Sequence, residues 1–183
     1  MKQEALEVLF NRRSIRKFKE EQIKDEELDL VLKAGTYAPS AMGLQSPLIV
    51  AVQNKEDILT IDRLSLDIMS RGMGIRRGGY AYYGAPTIIV VFYTSLAKTD
   101  ELGIMDASSA CTNMLNAAYA LGLGSCWIHR SKEVFETDEG KALLKKWGIN
   151  ENVVGVASIA LGYPDMELPT PKDRRAGYTK IIK

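Results

Sequence analysis

The chain has 183 residues, of which 46% are hydrophobic and 26% charged, a composition typical of one soluble globular domain spanning 1–183. Its formal net charge of +1 disfavours a chain-wide attraction to nucleic acid or to membranes, and its apolar runs are too short to span a bilayer. Two distant cysteines, Cys111 and Cys126, make neither a disulfide framework nor a metal site, and without a targeting pattern we expect a cytoplasmic protein.

Apolar periodicity predicts helices and strands along the whole chain. Helices are predicted over 1–10 and 25–37, where Asp25 is expected to be the N-cap, followed by a strand over 48–52 and a helix over 55–70. A mobile excursion over 71–83, rich in glycine and arginine, precedes a buried strand over 86–93. The remaining predictions are a helix over 106–121, a strand over 125–128, one or two helices over 131–147, a buried strand over 153–161 and an extended tail from Gly162.

The predicted helix over 106–121 is apolar nearly all round, which is typical of a core helix, and Gly122 and Gly124 end it. The order of elements therefore predicts an α+β fold, in which a few central strands surround a buried helix and other helices cover them. The tail has no core pattern of its own. An ordered tail of this kind often packs on another subunit, so it favours a dimer.

A basic tract follows the first predicted helix. If it runs extended, alternate side chains face the same way, with Arg12, Ser14 and Arg16 on one side and Arg13 and Lys17 on the other. Two guanidinium groups and a hydroxyl then converge on one point, and guanidinium geometry suits bidentate contact with phosphate. The alternative is a solvated turn whose cations pair with the carboxylates at 20, 21 and 25. A solvated charge run is likewise the alternative for the second basic tract at 172–175.

Residues 38–47 combine prolines with glycine and polar groups between a predicted helix and a predicted strand. Pro39 and Pro47 stiffen the segment, and Gly43 permits close approach of the backbone to a ligand. Ser40 and Gln45 supply polar groups that could read a planar heterocycle. An ordinary helix-to-strand loop is the alternative.

Residues 121–130 bring glycines together with the single histidine, His129. Their incomplete G-x-G-x-x-G follows a helix rather than a strand, so the dinucleotide-binding fingerprint is not met. A lone histidine is more often structural than catalytic, and Cys126 in its apolar stretch is expected to be inert packing. The spacing of these residues supports no catalytic triad.

Seven short pieces, in this order, make the chain resemble the FMN-dependent nitroreductase family over nearly its whole length. They are RRSIR at 12–16, APS at 38–40 with Gln45, GAP at 84–86, Asp106 opening a buried helix, NMLNAA at 113–118, GLGSCWI at 122–128 and LGYP at 161–164. The chain departs from many members at Gly43, where they have Asn, and at 46–47, where they have Pro-Trp. It also has His129 and Arg130 where some members have Glu-Gly.

The resemblance implies a fold and an assembly. The fold is an α+β sandwich with a mixed or antiparallel central sheet around a buried helix. The assembly is an intimate homodimer in which the extended C-terminal tail is exchanged between subunits and FMN lies in the interface.

Carried over position by position, the resemblance also implies the cofactor site. The FMN phosphate is assigned to Arg12, Ser14, Arg16 and Arg174, with Arg13 giving backbone contacts. The isoalloxazine ring is assigned to Pro39, Ser40, Met42 and Gly43 of the partner subunit, and Gln45 to the ring or the ribityl chain. The edge of the ring at N5 is assigned to Trp127, Ile128, His129 and Arg130, where a backbone amide commonly donates a hydrogen bond.

The activity that the resemblance implies is a ping-pong hydride transfer. NADH or NADPH reduces the flavin at N5, and a nitroaromatic, a quinone or a similar conjugated acceptor then takes the electrons, with no obligatory catalytic side chain and no metal. The segment 71–83 is expected to shape substrate choice. The alternatives are a relative that reduces halogenated or unsaturated rings, one that consumes flavin itself, and a non-catalytic module that binds flavin or a nucleotide. Nucleic-acid binding through 12–17 and 71–77 is disfavoured by the near-zero net charge.

Overall fold

Six α-helices, one short 3-10 helix (Ala41–Gly43) and four strands lie in the part of the chain that the computed structural model describes, residues 2–73 and 79–183. The α-helices are α1 (Lys2–Asn11), α2 (Asp25–Thr36), α3 (Lys55–Met73), α4 (Asp100–Ala120), α5 (Ser131–Glu136) and α6 (Asp138–Lys146). The strands are β1 (Pro47–Val52), β2 (Thr87–Thr94), β3 (Gly124–Ile128) and β4 (Val153–Gly162). The α+β class is confirmed, and each predicted helix and strand has a counterpart in these residues.

The four strands form one antiparallel sheet in the order β1-β2-β4-β3. The central strand β2 is buried along its whole length, as its apolar run predicts. Its side chains alternate between two cores, with Ile88 and Val90 on one side of the sheet and Ile89 and Val91 on the other. A helical layer on each face follows from a sheet that is apolar on both sides.

The two cores define three layers. On one face, α3, α5 and α6 pack through residues such as Ile61, Val134 and Leu143. On the other face, α2 and α4 pack through residues such as Val31 and Met114. The short α1 lies against α4 at the edge of this second layer. The sheet is thus the rigid frame on which the loops at its two ends are held.

The N-terminus of α2 differs from the prediction. Lys24 is the N-cap residue and Asp25 is the first residue of the helix, so the expectation that Asp25 caps α2 was wrong. The cap is instead made by Glu27, whose carboxylate accepts a hydrogen bond from the Lys24 N–H at 3.0 Å. The phenol of Tyr163 donates to the same carboxylate at 2.6 Å, which ties the helix start to the tail.

Helix α4 begins at Asp100 rather than at Asp106, and Thr99 caps it through a hydrogen bond from the Leu102 N–H. The periodicity missed the first turns because their apolar side chains do not face the core: Ile104 is 48% and Met105 is 65% exposed. The expectation of a core helix over 106–121 is confirmed, because most of its apolar side chains are buried, and Ile104 and Met105 precede that range.

The tail after β4 runs without helix or strand to Lys183, as predicted, and is almost wholly exposed. In the 71–83 segment, α3 continues to Met73, and Tyr82 is buried with its N–H donating to Asp62 at 2.9 Å. Arg76 and Arg77 lie outside the described residues, as do the other residues of 74–78 in the predicted excursion. Within 2–73 and 79–183, none of the helices is both long enough and apolar enough to cross a membrane.

Candidate functional site

The basic tract after α1 is extended, as its alternation requires. Ser14 pairs with Ser125 at the start of β3, and the Ile15 N–H donates to the Ser125 carbonyl at 3.0 Å. Further along, the Asp165 N–H donates to the Lys17 carbonyl, which fastens the tract to the tail. Ile15 is 2% exposed, so its burial fixes which side chains of the tract face outward.

A pocket of about 280 Å³ lies where this tract meets the returning tail. Its lining residues are Arg12, Arg13, Ser14, Arg16, Pro169, Thr170, Pro171, Lys172 and Arg174. Arginines from both ends of the polypeptide thus meet at one point, as the proposed phosphate contacts need. Lys172 was not assigned to the site from the sequence, because only the path of the tail brings it there. We call the set Arg12, Arg13, Arg16, Lys172 and Arg174 the cation cluster.

The cation cluster is not neutralised within the described chain, where none of its five members forms an ion pair with a carboxylate. Burial lowers the pKa of the Arg12 guanidinium, and the neighbouring Arg13 cation lowers it further. Lys17, on the opposite side of the tract, pairs with Asp165 at 2.6 Å. The solvated-turn alternative, with pairing to the carboxylates at 20, 21 and 25, is therefore not what the tract does.

Arg13 was expected to face away from the other arginines, and it borders two pockets: the one described above and a second that Ile15 also lines. Its Nη1 turns back and donates to the carbonyls of Phe10 and Arg12, both at 2.8 Å. The free carbonyls at the end of α1 attract a cationic donor, so the guanidinium stays beside the pocket. Its Nε is buried without a hydrogen-bond partner in the described residues.

The two thiols are buried. Burial raises the pKa of Cys111 to about 12 and also raises that of Cys126, which lies close enough to Arg12, Ser14 and Arg16 for them to oppose the shift in part. Both cysteines therefore behave as apolar packing, and the prediction that Cys126 is inert has a physical basis.

We expect the native protein to leave both thiols unmodified by a disulfide reagent at pH 8, because neither thiolate is formed or accessible. The denatured chain should react with two equivalents, one for each cysteine. Rapid reaction of one thiol in the native state, followed by absorbance of the released chromophore, would contradict the assignment.

At the far end of β3, an aromatic pair follows the strand. The Trp127 indole N–H donates to the His129 Nδ1 at 3.3 Å, and the ring centroids are 5.8 Å apart. Because Nδ1 accepts, the neutral imidazole carries its proton on Nε2. His129 is exposed. Four residues at about 3.3 Å each place it about 13 Å beyond Ser125 and the cation cluster.

Arg130 follows in a left-handed conformation, with φ at 95°, and its guanidinium is paired with Glu133 at 2.8 Å. A residue with a side chain rarely adopts this backbone conformation, whereas glycine adopts it readily. The ion pair keeps the Arg130 side chain on α5.

The loop before β1 has an unusual backbone. Met42, Gly43 and Gln45 have φ values of 54°, 67° and 51°, in the left-handed region. The Ser40 hydroxyl accepts a hydrogen bond from the Gln45 N–H at 2.9 Å, and Met42 is 71% exposed. The exposed loop, residues 38–46, therefore presents a fixed shape to whatever covers it.

Asp106 anchors this loop from α4. One carboxylate oxygen accepts from the Ala41 N–H at 2.8 Å, and the other accepts from the Ser46 hydroxyl at 2.7 Å. From the sequence, Asp106 was identified only as the start of a helix. The signal that could have revealed its role was a carboxylate on the apolar face of a helix, since burial of a charge needs partners.

The sheet separates this loop from the cation cluster. Pro47 lies in register with Tyr93 and Val154, whereas Gly124 lies opposite Gly162. Eight residues along β4 and three strand spacings therefore separate the two corners by about 30 Å. Within one chain, the cation cluster and the end of β3 lie along the same edge of the sheet, and the loop lies at the diagonally opposite corner of the sheet.

The chain is similar to known proteins in both sequence and structure. A sequence model of the nitroreductase family matches residues 9–163. A protein of Archaeoglobus fulgidus, provisionally named NADH dehydrogenase/NAD(P)H nitroreductase, is 34% identical over 90% of this chain and 88% of its own length. A nitroreductase from Bacteroides fragilis with bound FMN superposes with a TM-score of 0.86 at 31% identity, covering 98% of both chains. An FMN-bound nitroreductase from Desulfitobacterium hafniense also gives 0.86, at 26% identity and 98% coverage of both chains.

Proposed function

The chain belongs to the nitroreductase family, and on that premise we propose that it is an enzyme that binds FMN and uses NAD(P)H to reduce a small conjugated acceptor. Relatives named as FMN reductase and as NADPH-flavin oxidoreductase, from Bacillus subtilis and Vibrio harveyi, support flavin oxidoreductase chemistry. We further propose a nitroaromatic, a quinone or a similar electrophile as the acceptor.

The observation that carries the proposal is the cation cluster. Five positive side chains around a pocket of about 280 Å³, none of them paired with a carboxylate within the described residues, fit a phosphate monoester. Arginine forks and the Ser14 hydroxyl supply the donors that its oxygens need. We assign the phosphate to Arg12, Ser14, Arg16 and Arg174, and Lys172 adds a charge.

The remainder of the cofactor then follows β3. The ribityl chain and ring would run from the cation cluster toward Trp127–Arg130, where backbone amides and the indole–imidazole pair border the edge of the ring. The loop at 38–46 lies about 30 Å from the cation cluster of its own chain, which is farther than one flavin mononucleotide extends. We therefore propose that Pro39, Ser40, Met42, Gly43 and Gln45 line the ring bound by a partner subunit, in a homodimer.

Exposed apolar side chains support this dimer. Their exposed fractions include 67% for Phe10 on α1, 65% for Met105 on α4 and 80% for both Ile181 and Ile182 in the tail. Apolar surface of this extent on α1, on α4 and at the end of the tail favours burial against a second copy. We propose that the tails are exchanged between the subunits.

Bound FMN supplies hydride acceptance and hydride donation at one atom, N5, so that NAD(P)H and the acceptor use the same face in turn. The protein contributes position and electrostatics. The cation cluster holds one end of the cofactor, the end of β3 borders the other, and the partner's loop limits access of water to the ring. The proton that the acceptor takes up together with the hydride comes from solvent, so the proposed cycle requires no proton transfer from a side chain.

The direct test is the visible spectrum of the purified protein. We expect flavin bands near full occupancy, which disappear when NADH or NADPH is added under nitrogen and return when a quinone or a nitroaromatic is added. A folded, colourless protein that binds no FMN at micromolar concentration would refute the proposal. A yellow protein that neither nucleotide bleaches would instead indicate a non-catalytic flavin-binding module.

Arg16→Ala tests the phosphate site. Loss of one charge-assisted hydrogen bond should cost about 1.5–3 kcal/mol and weaken FMN binding about tenfold or more. Lys17→Ala is the matched control, because it removes a positive charge from the adjacent position, where the side chain pairs with Asp165. Titration of the FMN-free protein, followed by flavin fluorescence, should show the loss in the first variant and near wild-type affinity in the second.

A further inference from the structure

Asp106 accepts hydrogen bonds from both ends of the loop that lines the proposed cofactor site. Asp106 is 5% exposed, and its two carboxylate oxygens accept from Ala41 and Ser46, which stand at the two ends of a six-residue segment. One rigid helix thereby fixes both ends of the segment. The carbonyl of Ser46 is held in turn by β2, where the N–H and the hydroxyl of Thr94 donate to it at 3.0 and 3.1 Å.

The segment between these ends needs such fixing. Met42 and Gln45 both adopt positive φ, a conformation in which side chains are disfavoured. Next to them, the Ser40 hydroxyl accepts from Gln45 at 2.9 Å, but Met42 and Gly43 are exposed. Backbone strain of this kind persists only where neighbouring groups determine the conformation, and the buried Asp106, which bonds both ends of the segment, is such a group.

We propose that Asp106 is a positioning residue for the cofactor, which holds residues 40–46 in the shape that lines the isoalloxazine ring. The inference rests on the proposed function. It adds a role to a residue that lies beneath the loop and acts through the backbone of Ala41 and through Ser46. Because the loop and the cation cluster of one chain lie at opposite corners of the sheet, Asp106 of one subunit acts on the FMN of the other.

Asp106→Ala is the principal test, and it has a readout that does not need FMN. Without the carboxylate, the Ala41 N–H and the Ser46 hydroxyl lose their acceptors, so amide hydrogen exchange of residues 41–46 should accelerate in the FMN-free protein. FMN affinity should fall about tenfold, and the visible circular dichroism of the bound flavin should change. Asp106→Asn should recover part of the affinity, because its amide oxygen can still accept from Ala41.

Leu115→Ala is the control for general loss of stability. It truncates a buried residue of the same helix, nine residues and therefore about 13 Å further along α4. It should lower the melting temperature without accelerating exchange at 41–46 and without weakening FMN binding. If Leu115→Ala and Asp106→Ala have the same effect on affinity at matched stability, the positioning role is refuted.

The outcomes separate the two proposals. If the wild type binds no FMN, the proposed function is wrong, and the exchange data still report whether Asp106 holds the loop. If the wild type binds FMN, but Asp106→Ala binds it with unchanged affinity and an unchanged flavin spectrum, the proposed function stands and the role of Asp106 is refuted.

Mixed dimers test which subunit the loop serves. The mixed dimer combines one Asp106→Ala chain with one chain in which Arg12 and Arg174 are replaced by alanine. If the loop acts across the interface, one of its two sites has an intact cation cluster and an intact loop, and the other site has neither. Such a dimer should bind one FMN with wild-type affinity, whereas either homodimer binds weakly at both sites. A mixed dimer without a tight site would show that Asp106 does not act on the partner's flavin.

Discussion

A chain in which Arg12 and Arg174 are both replaced by alanine should fold normally and purify without colour. The two arginines come from opposite ends of the polypeptide and line the same pocket. Each should contribute a charge-assisted contact of about 1.5–3 kcal/mol to the FMN phosphate, so the double variant should bind FMN about 10²- to 10⁴-fold more weakly. Flavin occupancy after gel filtration and titration with FMN measure the effect.

The stability of the FMN-free protein should not fall, because the double variant removes two charges from a cluster in which positive charges repel one another. The matched control is Lys17→Ala with Arg175→Ala, which removes one cation from each of the same two segments. Lys17 pairs with Asp165, and Arg175 lies 5.1 Å from the centroid of the Tyr178 ring. If the control loses FMN as completely as the Arg12/Arg174 variant, the total positive charge of the two segments accounts for FMN binding, and the pocket does not.

Gly155→Ala should destabilise the fold strongly. A Cβ at this position in β4 would lie 2.5 Å from the Ser131 carbonyl oxygen and 2.9 Å from the Lys132 nitrogen. These are backbone atoms of the first turn of α5, which cannot turn away as a side chain can. We expect a loss of about 3 kcal/mol in the free energy of unfolding, at the upper end of the range for overpacking.

Chemical denaturation followed by circular dichroism measures this loss. Gly148→Ala is the control, since Gly148 has φ at 74° and a Cβ added there would meet no atom within 4 Å. It should cost about 1–2 kcal/mol, the penalty for a left-handed conformation alone. Equal losses at the two positions would mean that α5 moves freely on β4, contrary to the close approach of their backbones. Displacement of α5 should also disturb Arg130, which immediately precedes it.

Local patterns were sufficient to predict most of the fold. The alternation and burial of β2 and the face of α2 formed by Leu28 and Val31 depend on periodicity, which the sequence displays directly. The start of α4 was missed because Ile104 and Met105 give no signal of a face toward this chain's own core. Asp25 was misassigned as a cap because its neighbour Glu27, two residues further on, supplies the hydrogen bond.

The candidate site divides in the same way. The alternation of side chains within residues 12–16 was enough to predict that Arg12, Ser14 and Arg16 face the same way, and they line one pocket. The position of Arg13 depends on the carbonyls at the end of α1, and that of Lys172 on the path of the tail. The bond from Asp106 to the loop joins residues sixty or more apart in sequence. Such contacts follow from tertiary structure, which spacing alone does not specify.

In the homodimer proposed above, the diagonal placement of the loop and the cation cluster would have a thermodynamic consequence. A cofactor that touches two chains binds the dimer more tightly than the monomer, so FMN binding and subunit association would be linked. Bound FMN would stabilise the dimer by the same free energy by which dimer formation strengthens FMN binding. Dilution of the protein would then promote loss of flavin, depletion of flavin would promote dissociation, and apoprotein would accumulate as monomer.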